Sequence, residues 1–70
     1  MTHDPKGILG KYGESERLVG EAERKRITGI SRATWWRMER KGLTPSNRFK
    51  GGKSAWLLSD LLAWITPSIE

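Results

Sequence analysis

Arg32, Arg37 and Arg40 fall on one side of a helix, together with Ala33 and Trp36, when residues 28–42 are turned at about 100° per residue. A guanidinium offers a planar fork of donors. That fork matches the paired acceptors of a phosphate or of the guanine edge in a major groove. Ala33 is small and Trp36 flat, so the helix backbone can come close to whatever the arginines hold. Ser31, Thr34, Trp35 and Met38 fall on the other face, which is suited to packing. Other chemistries lack material. The only histidine is His3, in a polar N-terminal stretch that reads as solvated, and there is no cysteine. No paired carboxylates, phosphate loop or metal-ligand spacing is present. Ser31 and Ser59 have no partner base and read as helix caps. Enzyme activity, a cofactor and a metal are not expected.

The charge supports the same chemistry. Thirteen Lys and Arg against eight Asp and Glu give a net charge of +5 over 70 residues. Ten of the basic residues lie between Arg24 and Lys53, where Glu39 is the only acid. A basic surface concentrated in this way attracts polyanions. On their own the three arginines would be no more than a solvated basic face. The turn, cap and hairpin signals around them favour a nucleic-acid surface. No run is apolar and long enough to span a bilayer, and the N-terminus lacks the apolar segment of a signal peptide. The cytoplasm is therefore the expected compartment.

The elements that must hold this face can be read from their punctuation. Residues 1–15, with Pro5, Gly7, Gly10 and Gly13, read as a flexible tail; its only apolar residues able to dock are Ile8, Leu9 and Tyr12. Leu18 and Val19 read as a short extended segment. Residues 20–27 predict a helix with Glu21 and Glu23 in the first turn and Lys25 and Arg26 in the last, as the helix dipole favours. Gly29 ends it and Ile30 plugs the turn. Ser31 caps a second helix, which Gly42 ends and Pro45 keeps from restarting. Residues 46–57 predict a β-hairpin about Gly51-Gly52, with Phe49 and Trp56 inward and Lys50 and Lys53 flanking the tip. Ser59 caps a third helix that carries Leu61, Leu62, Trp64 and Ile65 and ends at Thr66-Pro67. The predicted core is Leu18, Ile27, Ile30, Trp35, Met38, Phe49, Trp56, Leu61, Trp64 and Ile65.

In order and spacing, several stretches resemble the AlpA-type phage regulators, a family related to phage excisionases and MerR-like winged helices. They are Glu16-Arg17-Leu18, Thr28-Gly29-Ile30-Ser31-Arg32-Ala33-Thr34, Arg37, Gly42, Pro45, Lys50-Gly51, Trp56, Ser59-Asp60 and Ala63-Trp64-Ile65. The resemblance covers about residues 16–66. It implies a prophage-borne DNA-binding protein that activates integrase genes or acts as an excisionase bending attachment-site DNA. It places Arg32, Ala33, Trp36 and Arg37 on the major-groove helix and Lys50 to Lys53 on the wing. Arg24 stands where many members carry an apolar residue, which implies a less fully packed first helix. Lys53 and Ser54 differ from the Arg and Val common at those positions.

The expected fold is mostly α with a small β-hairpin, a winged helix-turn-helix over residues 16–66, with 67–70 as a C-terminal end. The expected function is regulation of a prophage-like element by sequence-specific binding to double-stranded DNA. The recognition-helix residues are Arg32, Ala33, Trp36, Arg37 and Arg40. The wing residues are Arg48, Lys50, Gly51, Gly52 and Lys53. Trp36 has two readings: against a sugar or thymine methyl, or folded back over the domain. One short helix and one wing read few base pairs, so specificity calls for cooperative self-association on DNA or a partner such as an integrase or RNA polymerase. The alternatives are an excisionase and, in another class, a protein-interaction module acting on a recombinase or regulator. Burial of Trp36 and its arginines would favour the last.

Overall fold

The computed structural model describes residues 5–66; His3 and the 67–70 end lie outside the described residues. Among the described residues there are four helices and a two-stranded antiparallel sheet: α1 (Pro5–Tyr12), β1 (Leu18–Val19), α2 (Glu21–Thr28), α3 (Arg32–Arg40), β2 (Trp56–Leu57) and α4 (Leu58–Ile65). Leu18 pairs with Leu57 and Val19 with Trp56. No helix among the described residues is long and apolar enough to cross a membrane.

The apolar α4 is the element against which α1, α2 and β2 pack. The buried cluster is Leu9, Val19, Trp35, Trp56, Leu58, Leu61 and Leu62, with Ile8, Ile27, Ile30, Trp64 and Ile65 partly buried against it. Trp35 anchors α3 there. Its ring meets Trp56 edge-on at 5.7 Å and Trp64 at 5.2 Å between centroids, the T-shaped geometry that aromatic quadrupoles favour.

The N-terminal stretch departs from the flexible tail that its composition predicts. Residues 5–12 are helical, and Leu9 is 7% exposed within the core. Two glycines in so short a helix give it poor intrinsic propensity. Packing against α4 outweighs that cost, as it does for most short helices in proteins. The Tyr12 hydroxyl and Thr66 Oγ1 lie 2.8 Å apart in a hydrogen bond that fastens the end of α1 to the end of α4.

Leu18 is exposed and Val19 buried, the reverse of the predicted core assignment. On a strand, neighbouring side chains take opposite faces, so only one of the pair can point inward. The predicted first arm of a hairpin is not a strand. Only an isolated bridge, Lys50 to Lys53, closes the Gly51-Gly52 turn, and β2 pairs with β1 instead. Both turn glycines have positive φ, 60° and 78°, as a tight hairpin-type turn requires.

Helix α4 begins at Leu58, one residue before the predicted Ser59 cap, and no local side chain caps it. The cap comes from 43 residues away: Glu16 Oε1 accepts from the Ser59 backbone N–H at 3.1 Å and Glu16 Oε2 from the Ser59 hydroxyl at 2.6 Å. The Leu58 N–H donates to the Arg17 carbonyl at 2.8 Å. Two orphan donors of the helix start are thereby satisfied, with a negative charge at the positive end of the dipole. The neighbouring Arg17 fork grips Glu23 of α2. These hydrogen bonds hold the Glu23 carboxyl below its ordinary range.

Arg24 is fully buried, 0% exposed, so α2 is closely packed at the position where the resemblance implies looser packing. Its guanidinium donates to the Ile30 carbonyl at 2.6 Å and the Thr28 hydroxyl at 3.3 Å, pairs with Glu21, and lies 4.6 Å from the centre of the Trp35 ring. One side chain therefore ties α2, the turn and α3 together. Arg24→Ala should lower the unfolding free energy by about 3 kcal/mol, because it removes packing and takes the donor from a half-buried carbonyl; urea denaturation measures this. Arg24→Met should restore part of the stability. Glu16→Ala should cost about 1 kcal/mol, as removal of a helix cap does. An unchanged urea midpoint would show that the distant cap contributes nothing.

Candidate nucleic-acid interface

Helices α2 and α3 are separated by three residues, Gly29, Ile30 and Ser31. Gly29 adopts the left-handed conformation, φ 71°, and its N–H returns to the Lys25 carbonyl. Ser31 is extended, and its hydroxyl accepts from the Thr34 N–H at 3.3 Å, the N-cap bond expected at that position. The start and the exit direction of α3 are thus set by local bonds, and its roll about its own axis by Trp35 in the core.

With Trp35 inward, Arg32, Ala33, Trp36, Arg37 and Arg40 are all exposed. Trp36 is 55% exposed and does not fold back over the domain. The Arg40 guanidinium stacks 4.8 Å from its ring centre, a cation–π contact worth about 0.5–1 kcal/mol at an exposed site. Arg37 donates to the Thr34 hydroxyl at 3.3 Å, and the Thr34 and Ser31 hydroxyls are hydrogen-bonded at 3.1 Å. Both guanidinium planes are therefore partly oriented before any ligand arrives.

The second predicted patch meets the first. Arg32 shares a groove of about 630 Å³ with Lys50, Gly52, Lys53 and the β1 end of the sheet. The start of α3 and the Gly51-Gly52 tip therefore border one trough that holds three cations and one acid, Glu21, which is paired with Arg24. Arg48 is placed differently: its guanidinium reaches Asp60 of α4 at 3.4 Å. A second cleft, of about 520 Å³, runs between α3 and Ser54, bordered by Arg32, Ala33, Trp36 and Glu39. Trp35 Nε1, Trp56 Nε1 and Glu39 Oε2 are buried without a hydrogen-bond partner among the described residues, and all three residues border this cleft.

The loop itself is held by Asn47, whose role the sequence pattern alone does not predict. Its Oδ1 accepts from the Phe49 N–H at 3.0 Å and the Ala55 N–H at 3.1 Å, and its Nδ2 donates to the Ser54 hydroxyl at 2.9 Å. The Arg48 N–H also donates to the Ala55 carbonyl at 2.6 Å. An Asn side chain that accepts from the backbone N–H two residues on makes an Asx-turn. Asn shortly before a Gly-Gly pair is the signal that could have found it. Phe49, predicted inward, is 66% exposed with φ 44°. A left-handed residue cannot continue an extended strand, so its side chain leaves the expected inward face.

Comparison with protein-family models, with curated proteins and with solved structures returned no match.

A phenylalanine in the left-handed region carries strain of about 1–2 kcal/mol that asparagine tolerates better. Because the ring is mostly exposed, its removal sacrifices little packing. Phe49→Asn should therefore raise the unfolding free energy by about 1 kcal/mol. A melting temperature equal to or below that of the parent would contradict a strained, weakly packed Phe49.

Proposed function

We propose that this protein binds duplex DNA as a winged helix-turn-helix. In this reading α2 and α3 are the helix-turn-helix pair, α3 enters the major groove, and the 46–55 loop is a short wing on the adjacent backbone or minor groove. The observation that carries the reading is that Arg32, Lys50 and Lys53 border one groove while Ala33, Trp36, Arg37 and Arg40 continue the same exposed side of α3. Two separate stretches of sequence thus contribute to one basic surface shaped by a protruding helix and a protruding loop. The exposure of Trp36 and its arginines favours this over an interaction module with a covered basic face.

The resemblance to AlpA-type regulators gives the proposal its biological form: a prophage-type transcriptional regulator acting near an integrase gene. In the DNA complex Arg32 or Arg37 reads guanine with a bidentate bond, each such bond contributing about 1–3 kcal/mol of discrimination. Ala33 and Trp36 admit the backbone to the base edges. Lys50 and Lys53 neutralise phosphates.

The test is titration of three duplexes at fixed salt with competitor DNA: an integrase promoter, an attachment site and a shuffled control. Preference for the promoter supports a regulator, and preference for the attachment site an excisionase. Equal weak binding to all three removes sequence-specific recognition by α3. Arg37→Ala should weaken binding to the preferred duplex by about tenfold or more and narrow its margin over the control. The double variant Lys50→Ala, Lys53→Ala should lower the magnitude of the log–log salt slope by about 0.9 for each phosphate that is no longer neutralised. An unchanged slope would take the loop out of the interface.

A further inference from the structure

Phe49 combines three properties. The residue is 66% exposed, its backbone is left-handed at φ 44°, and its N–H is tied to the Asn47 side chain that also closes the base of the loop. A free surface loop would relax the backbone or place a polar residue there. Here the loop is clamped so that an apolar ring stands out from it. Backbone strain held in place by surrounding bonds is a recurrent mark of functional positions.

The surroundings specify the ligand. Phe49 borders a cleft of about 530 Å³ with Glu39, Arg40 and Gly42 at the end of α3. Lys50, the next residue, and Lys53, across the turn, border the groove shared with Arg32. Phe49 therefore lies close to the cations Arg40 and Lys50, with Glu39 also on its cleft. A polyanion whose interior is a stack of flat apolar faces answers to that pattern: phosphates meet the cations, and the ring meets a base step.

We propose that Phe49 is a wedge that inserts between adjacent base pairs of the bound duplex at a pyrimidine–purine step, unstacking and kinking it. The proposal rests on the duplex-DNA reading above and adds to it a specific residue and a deformation. Apolar side chains inserted from the minor groove kink DNA by about 20–90°. Pyrimidine–purine steps unstack most readily, so the wedge contributes sequence preference without a hydrogen bond to a base.

The experiment uses the full chain and duplexes of about 30 bp carrying TA steps, at low salt. Each duplex carries 2-aminopurine at the TA step and a donor–acceptor dye pair at its ends. Binding is followed separately by anisotropy. With saturating parent protein, 2-aminopurine fluorescence should rise and the end-to-end distance should shorten. Phe49→Ala should bind without either signal, and Phe49→Leu should retain both. Lys50→Ala, Lys53→Ala should need more protein but reach the same signals at saturation. Binding by the parent with neither signal would overturn the wedge and leave the DNA reading standing. Signals that persist in Phe49→Ala would also overturn it. No binding to any duplex would overturn the wedge and the DNA reading together.

Discussion

A guanidinium buried in a domain of 70 residues is the constraint on which the basic face depends. Taking Arg24 out of water is costly, and burial is tolerated because its donors are met: Glu21 and Thr28 on its own helix, the Ile30 carbonyl in the turn, and the face of Trp35. Arginine suits the position where lysine would not, since its fork spreads several hydrogen bonds in one plane and its weakly hydrated face stacks on an indole. The result is that the angle between α2 and α3 is set by a polar bracket as well as by apolar contact. Because Trp35 is fixed by Arg24 on one side and by Trp56 and Trp64 on the other, the opposite side of α3 has nowhere to turn but outward.

Polar ties recur where the chain returns to itself. The two-residue strands are too short to stabilise a sheet alone. The β1–β2 pair holds because Glu16 and Arg17, just before β1, supply the missing hydrogen-bond partners at the start of α4, just after β2. α1 then covers α4 with Leu9 and a hydroxyl bond from Tyr12 to Thr66. A small domain buries a modest fraction of its surface, and this one adds long-range hydrogen bonds between the ends of its elements.

Order in the 46–55 loop has a different origin. Its backbone donors are shared between the Asn47 carboxamide, which accepts from Phe49 and Ala55, and the backbone carbonyls of Lys50 and Ala55, which accept from Lys53 and Arg48. That leaves Lys50, Lys53 and Phe49 projecting from a rigid base. The cations and the aromatic ring stand at one surface with α3 because the loop returns to β2 within a few residues of its tip.

Residues 28–42 are legible from the sequence almost to the residue. A left-handed glycine, a serine cap and a helical period are local rules, satisfied within a few residues of themselves, and they fix both the turn and the outward set Arg32, Ala33, Trp36, Arg37 and Arg40. Helix α2 and the Gly51-Gly52 turn are legible for the same reason. The order of α1 is not, because a glycine-containing octapeptide becomes a helix only when α4 is there to receive Leu9. The cap of α4 is not, because its carboxylate lies 43 residues away. Whether Leu18 or Val19 points inward is a matter of register against β2, and whether Phe49 is covered depends on the left-handed turn of its own backbone. The burial of Arg24 needs the Trp35 face and the Ile30 carbonyl in place at once. Local residue order is enough to bound the α2–α3 pair and to set which side of α3 is basic. What covers the core and which distant groups meet at the groove follow from packing, because those partners are not neighbours along the chain.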